Sequence, residues 1–212
     1  MARMLGIHHY WLFIATAVVL VITPGQDTFF ILGRSLSGGR AAGVAAALGI
    51  TAGSVIHTVL AALGLSALLA TSPYAFMAVK FAGAAYLIYI GVRALLARAS
   101  ELPGAETCAT SGAWSAFRQG VISNLLNPKV ALFFLALMPQ FITADSTHKV
   151  AAFLALGCTF VALGVVWCLV LAVAAASLRG WFLRRPSMAT VLNRLAGVMF
   201  IALGLRLASV RQ

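Results

Sequence analysis

Two long stretches of this chain carry no charge at all. Ala41 to Leu69 and Val150 to Leu178 contain no Asp, Glu, Lys or Arg. A helix needs only ~20 apolar residues to cross a bilayer, and each stretch is longer than that. Soluble cores rarely contain helices this apolar at such length, and more rarely twice. Hydrophobic residues make up 62% of the 212 positions and charged ones 9%, whereas a soluble domain carries about a quarter charged residues. So few charges cannot cover a water-facing surface of this size. The expected fold is an all-α integral membrane protein with lipid as its main solvent.

Six apolar spans are expected at roughly 9–32, 41–69, 74–97, 119–142, 150–178 and 189–208, each near the bilayer-crossing length. The connectors are short and polar: Arg34–Arg40, Thr71–Pro73, Arg98–Trp114, Thr143–Lys149 and Arg179–Pro186. None can hold a soluble domain, so residues 1–212 read as a single transmembrane domain. With the N-terminus outside, the inner side holds nine basic residues and the outer side four: Arg3, Lys149, Arg206 and Arg211. The positive-inside bias therefore places both termini outside. It also accounts for the net charge of +11 without a nucleic acid partner, for which no binding motif is present. Cys108, Cys158 and Cys168 have neither the even count nor the spacing of a disulfide framework. Cys158 and Cys168 read as small buried apolar residues. The first apolar run has no small-x-small exit, so it reads as a span rather than a cleaved signal.

The two halves repeat. Pro24 precedes Phe29-Phe30, and Pro128 precedes Phe133-Phe134 at the same offset. Ala47-Leu48-Gly49 is answered by Ala155-Leu156-Gly157, and Ala82-Gly83 by Ala196-Gly197. A repeat of three spans is odd-numbered, so its second copy enters the membrane from the opposite side. The expected architecture is six transmembrane helices as two inverted three-helix repeats, approximately 9–97 and 119–208. This plan is typical of secondary transporters.

Chemistry concentrates at two helix breaks. Thr23-Pro24-Gly25-Gln26 interrupts the first span, because proline lacks an N–H and clashes with the preceding turn. Freed backbone groups in hydrocarbon are tolerated where they face a polar cavity. Asp27 follows at once, and an intramembrane acid is costly enough to suggest a task. The bland account is an interfacial Asp27 capping a helix that restarts at Thr28. Asn127-Pro128-Lys129 forms the corresponding break in the second half. A pseudo-two-fold should bring the breaks together. Asp27 and Lys129 would then pair, or each would hold one end of a zwitterion. Lys129 snorkelling to the inner face is the alternative, as it is for Lys80. His57, in a charge-free span, is either a buried hydrogen-bonded histidine or a proton carrier. Pro139-Gln140 would supply a gate or a cap. Gly39, Gly43, Gly49 and Gly53 are spaced to let helices approach closely. No metal constellation and no phosphate-binding loop is present, so no cofactor is expected. Four acids in the whole chain leave little for enzymatic hydrolysis.

At these residues the chain resembles the LysE/RhtB family of amino-acid exporters. Thr23-Pro24-Gly25-Gln26-Asp27, with Gly33-Arg34-Ser35 and Gly38-Gly39-Arg40-Ala41-Ala42-Gly43, is similar to the first family signature. Asn127-Pro128-Lys129-Val130-Ala131-Leu132-Phe133-Phe134, with Pro139-Gln140-Phe141, is similar to the second. Gln26 departs from the pattern, since many members have a second proline there. The resemblance implies a bacterial inner-membrane exporter of amino acids or related small metabolites, driven by proton motive force. Its partners would be the small-molecule substrate, protons as coupling ion and the lipid bilayer; a homo-oligomer is compatible with this. Asp27, Lys129, Asn127, Gln140 and His57 are the expected substrate and coupling residues. The alternative is a permease for a metal ion or other small solute on a related three-helix repeat. A membrane thiol oxidoreductase would need a cysteine near each break, and positions 20–30 and 124–134 contain none. A scaffold would leave both breaks unexplained.

Overall fold

The computed structural model describes residues 5–65, 112–143 and 146–177, with isolated helical positions between 77 and 96 and between 198 and 205. The third and sixth spans, Lys80, Cys108 and the Ala82/Ala196 repeat match lie outside these continuous segments. Within them the regular structure is helical, and one antiparallel bridge joins Ile7 to Ile142.

Helix α1 (Tyr10–Ile22) is almost wholly apolar and ends at Thr23, one residue before the proline. Helix α2 (Gln26–Leu60) starts after Gly25 and contains one non-helical residue, Gly39, with φ 74°. That left-handed conformation suits glycine. It also reverses the chain. Residues eight apart on a straight helix are about 12 Å apart, yet a Cβ on Gly43 would collide with Ser35. α2 is therefore two limbs, 26–38 and 40–60, folded back on one another at Gly39. The Arg34–Arg40 segment is not an open connector: helix continues on both sides of a single turning residue. The second limb runs on as a π-helical turn, Ala61–Leu65.

Helix α3 (Ala113–Leu125) begins earlier than the expected fourth span and stops before Asn127-Pro128. Helix α4 (Pro128–Leu132) follows and continues through a π turn, Phe133–Leu137, and a 3₁₀ turn, Met138–Phe141. Helix α5 (Lys149–Ser177) matches the fifth span closely. By length and composition Lys149–Ala175 can cross a membrane, as can the stretch Gln26–Gly64, in which the limb after the Gly39 turn is the longer continuous helix. A third candidate is Ala113–Leu125 with Pro128–Phe141, if this pair, bent by 46°, forms one span.

The long limb of α2 lies between α3 and α5. Gly49 packs on Phe117 and Gly120 of α3, and Gly157 of α5 packs on Thr58. Small residues at these crossings let backbones approach closely. Two apolar clusters result. One gathers Phe13, Leu20, Phe133, Phe134, Phe141, Phe153 and Phe160. The other gathers Ile31, Ala46, Ala47, Ile50, Ala116, Cys168 and Ala172. Both breaks, with their buried polar side chains, fall between them. Cys168 is buried as expected, but Cys158 is exposed. Val55, Val59, Leu63, Val166 and Val170 are also exposed, an outward apolar surface suited to lipid.

Candidate functional site

Each proline removes the helical donor for the carbonyl four residues earlier. In an unbroken helix the N–H of residue 24 would reach the carbonyl of Leu20, and that of residue 128 the carbonyl of Asn124. Prolines have no such donor. Side chains from elsewhere reach both carbonyls. Lys129 Nζ donates to the Leu20 carbonyl at 3.1 Å and to the Thr23 carbonyl at 2.9 Å. His57 Nε2 lies 3.3 Å from the Asn124 carbonyl, which also accepts from the Asn127 N–H at 3.0 Å. Because that partner is a carbonyl, Nε2 is the donor. The His57 ring also stacks on Phe134. Lys129 is buried, with 7% exposure, so it does not snorkel away from the break.

The second halves of the broken helices carry the other polar groups. Asn127 caps α4, its Oδ1 accepting from the Lys129 N–H at 3.0 Å, with Pro128 at the favoured first helical position. Asp27 sits in the first turn of α2, which restarts at Gln26 rather than Thr28. Its Oδ2 accepts from Asn124 Nδ2 at 2.8 Å. Ser54 Oγ donates to Asn124 Oδ1 at 3.3 Å. Gln26 reaches Ser123 across the breaks at 3.4 Å. Lys129 thus bonds to carbonyls and Asp27 to an amide, so no direct hydrogen bond joins the two charges.

Both charges line one cavity of about 40 Å3, room for roughly three waters. Asp27 Oδ1 and Trp167 Nε1 are buried without a hydrogen-bond partner, and both residues line it. Lys129 uses two of its three N–H donors on carbonyls, leaving one. The cavity is thus lined by a carboxylate, an ammonium and an indole, each with a hydrogen-bonding atom to spare.

The breaks therefore bring together Asp27, Lys129, Asn127 and His57. Gln140 stands apart: it bonds to its own helix at Ala136 and does not line the cavity. Asn124, Ser54 and Trp167 were missed from sequence. Asn124 had a signal, since it lies four residues before Pro128 as Leu20 does before Pro24. Among the described residues no three His, Cys, Asp or Glu side chains converge as metal ligands.

The chain is 36% identical over 204 residues to an uncharacterized membrane protein of Vibrio cholerae, covering 96% of this chain and 98% of that one. It is 31% identical to an uncharacterized membrane protein of Pseudomonas aeruginosa, covering 97% of each. It is 30% identical over 206 residues to a leucine efflux protein of Salmonella typhimurium, again covering 97% of each. No solved structure matches. The family model for the LysE type translocator matches residues 18–211. The chain belongs to the LysE type translocator family and is a membrane transporter, not an enzyme.

Proposed function

We propose that this protein exports amino acids or close derivatives across the bacterial inner membrane, by alternating access driven by the proton gradient. One observation carries the reading: Asp27, with Oδ1 unpartnered, and Lys129, with one N–H to spare, line the same cavity with no hydrogen bond between them. Asp27 would hold the substrate ammonium or exchange the coupling proton. Lys129, aided by Trp167, would hold the carboxylate. His57 and Asn127 keep the second break formed, and His57 offers a second site for a travelling proton. Gln140 would act on the outer path rather than in the cavity. The efflux relative supports amino acids as the solute.

Six spans in two inverted repeats suit this reading. The first half of each broken helix is 13 residues long, and the prolines sit at matching places in the repeat. The cavity is smaller than an amino acid, so substrate entry requires movement about the breaks, as alternating access supplies. With both termini outside, the cavity would open alternately past the Gly39 turn and past the Ile7–Ile142 bridge. The test is efflux from cells preloaded with labelled amino acids, with and without the protein, before and after collapse of the proton gradient. Faster loss of one or a few amino acids, stopped by the uncoupler, is expected. No accelerated loss of any amino acid from cells containing the inserted protein would overturn the reading.

A further inference from the structure

We infer that the exported amino acid has an uncharged apolar side chain, and that Gly164 on α5 sets how large that side chain can be. The inference rests on the amino-acid reading above and goes on to the part of the substrate that reading leaves open.

The charge inventory comes first. Asp27 and Lys129 are the only charged residues lining the cavity among the described residues. The substrate's own ammonium and carboxylate occupy both. A cationic side chain would need a second acid, but the other three acids of the chain are Glu101, Glu106 and Asp145, all in connectors between apolar spans. An anionic side chain would need a second cation at the wall. Among the described residues the wall offers neither, and burying an unpartnered side-chain charge is strongly unfavourable.

The wall supplies the rest. Ile31 and Ile50 of α2 face Phe160, Val161 and Val165 of α5 across the cavity. Gly164 lies in the middle of this α5 face, because residues three and four away on each side (Phe160, Val161, Trp167, Cys168) line the cavity too. Two glycines at helix crossings are filled against neighbours: a Cβ on Gly157 would strike Thr58, and one on Gly53 would strike Asn124. A Cβ on Gly164 would meet no heavy atom of the described residues within 4 Å. Glycine in a helix interior is less favourable than alanine. Close packing accounts for Gly157 and Gly53. At Gly164 the missing side chain leaves space, and that space borders the apolar wall.

The test uses the full-length protein in proteoliposomes with an imposed proton gradient, loaded with labelled alanine, leucine, lysine or aspartate. The wild type is expected to release leucine and alanine in preference to lysine and aspartate. In Gly164→Leu the leucine-to-alanine ratio of export rates should fall by roughly ten-fold or more, the size of discrimination that one or two carbon atoms give in an apolar pocket. Gly164→Ala should shift the ratio the same way and less far. An unmoved ratio in both variants, with leucine still exported, overturns the role of Gly164 and leaves the amino-acid reading intact. Preferential release of lysine or aspartate overturns the uncharged side chain. Failure of both variants to insert also overturns the inference, because a side chain placed in open cavity should not prevent folding. Release of none of the four would strike the amino-acid reading itself.

Discussion

The ammonium group of Lys129 donates to the carbonyl of Leu20 at 3.1 Å, the acceptor that Pro24 leaves without a backbone donor. A cation from the second break closes the first. A second bond runs the same way: Asn124, at the end of the helix before Pro128, donates to Asp27 in the first turn after Pro24. Two residues of the second break thus hold the first. A movement that widens one must disturb both. The alternating access proposed above would act on two breaks that share their hydrogen bonds in this way.

Asp27→Asn should abolish export while leaving insertion intact. The amide is nearly isosteric, and its oxygen can still accept from Asn124 Nδ2. It can neither pair with a substrate ammonium nor release a proton. Uncoupler-sensitive efflux should fall to the level of cells without the protein, with the amount in the membrane unchanged. Normal export by this variant would remove Asp27 from the mechanism.

Lys129→Gln should cost both stability and transport. The Leu20 and Thr23 carbonyls would lose a charged donor, and a hydrogen bond to a charged group is worth about 1.5–3 kcal/mol. The buried Asp27 carboxylate would also lose the cation that shares its cavity. Thermal unfolding in detergent should report the loss. Adding Asp27→Asn should recover part of it, because removing an uncompensated buried charge is favourable. Lys129→Arg should not rescue transport, since a Cβ on Gly25 would already lie 3.2 Å from Nζ and a guanidinium is larger. If the double variant unfolds more easily than Lys129→Gln alone, the two charges do not influence each other.

Asn124 offers a way to separate folding from transport. Asn124→Leu should destabilise by about 1–3 kcal/mol, the usual cost of an unsatisfied buried polar group, because Asp27 Oδ2 and Ser54 Oγ both lose a partner. Exchanging the two residues, Asp27→Asn with Asn124→Asp, reverses donor and acceptor but keeps the bond. Unfolding of the exchanged protein should return to within about 1 kcal/mol of the wild type, the size of one ordinary hydrogen bond. Export should stay lost, because the carboxylate has moved to α3. Recovered export would mean that only the bond matters.

The breaks were legible in the sequence because proline's missing donor is a local fact, carried by Pro24 and Pro128 themselves. The partners that complete them were not, since Lys129 reaches a carbonyl 109 residues earlier in the chain. Periodicity separates apolar spans but is silent on which polar side chain crosses between them, which hid Asn124, Ser54 and Trp167. Gly39 was read with its neighbours as a polar connector. One residue at φ 74° suffices to turn a helix, and composition averages such a residue away. Gln140 sits in a motif and still lies outside the cavity, because the π and 3₁₀ turns after Leu132 carry it a full element beyond the break.

The close crossing of α2 and α3 gives the last prediction. A Cβ on Gly49 would overlap the carbonyl of Phe117, and one on Gly120 would lie 2.6 Å from the carbonyl of Ala46. Both obstacles are backbone, so no rotamer change relieves them. Gly49→Ala or Gly120→Ala must push the helices apart, and overpacking of this kind costs about 1–3 kcal/mol. The two changes act on one crossing: the Gly49 Cα lies 3.2 Å from a Cβ built on Gly120. Their effects should therefore not add, and the double variant should lose less than the two single losses together. Separation of α3 from α2 would also draw Asn124 away from Ser54 and Asp27, so export should fall with stability in both single variants. Full additivity in the unfolding measurement, or unimpaired export from a destabilised Gly120→Ala, would show that the crossing is independent of the site it supports.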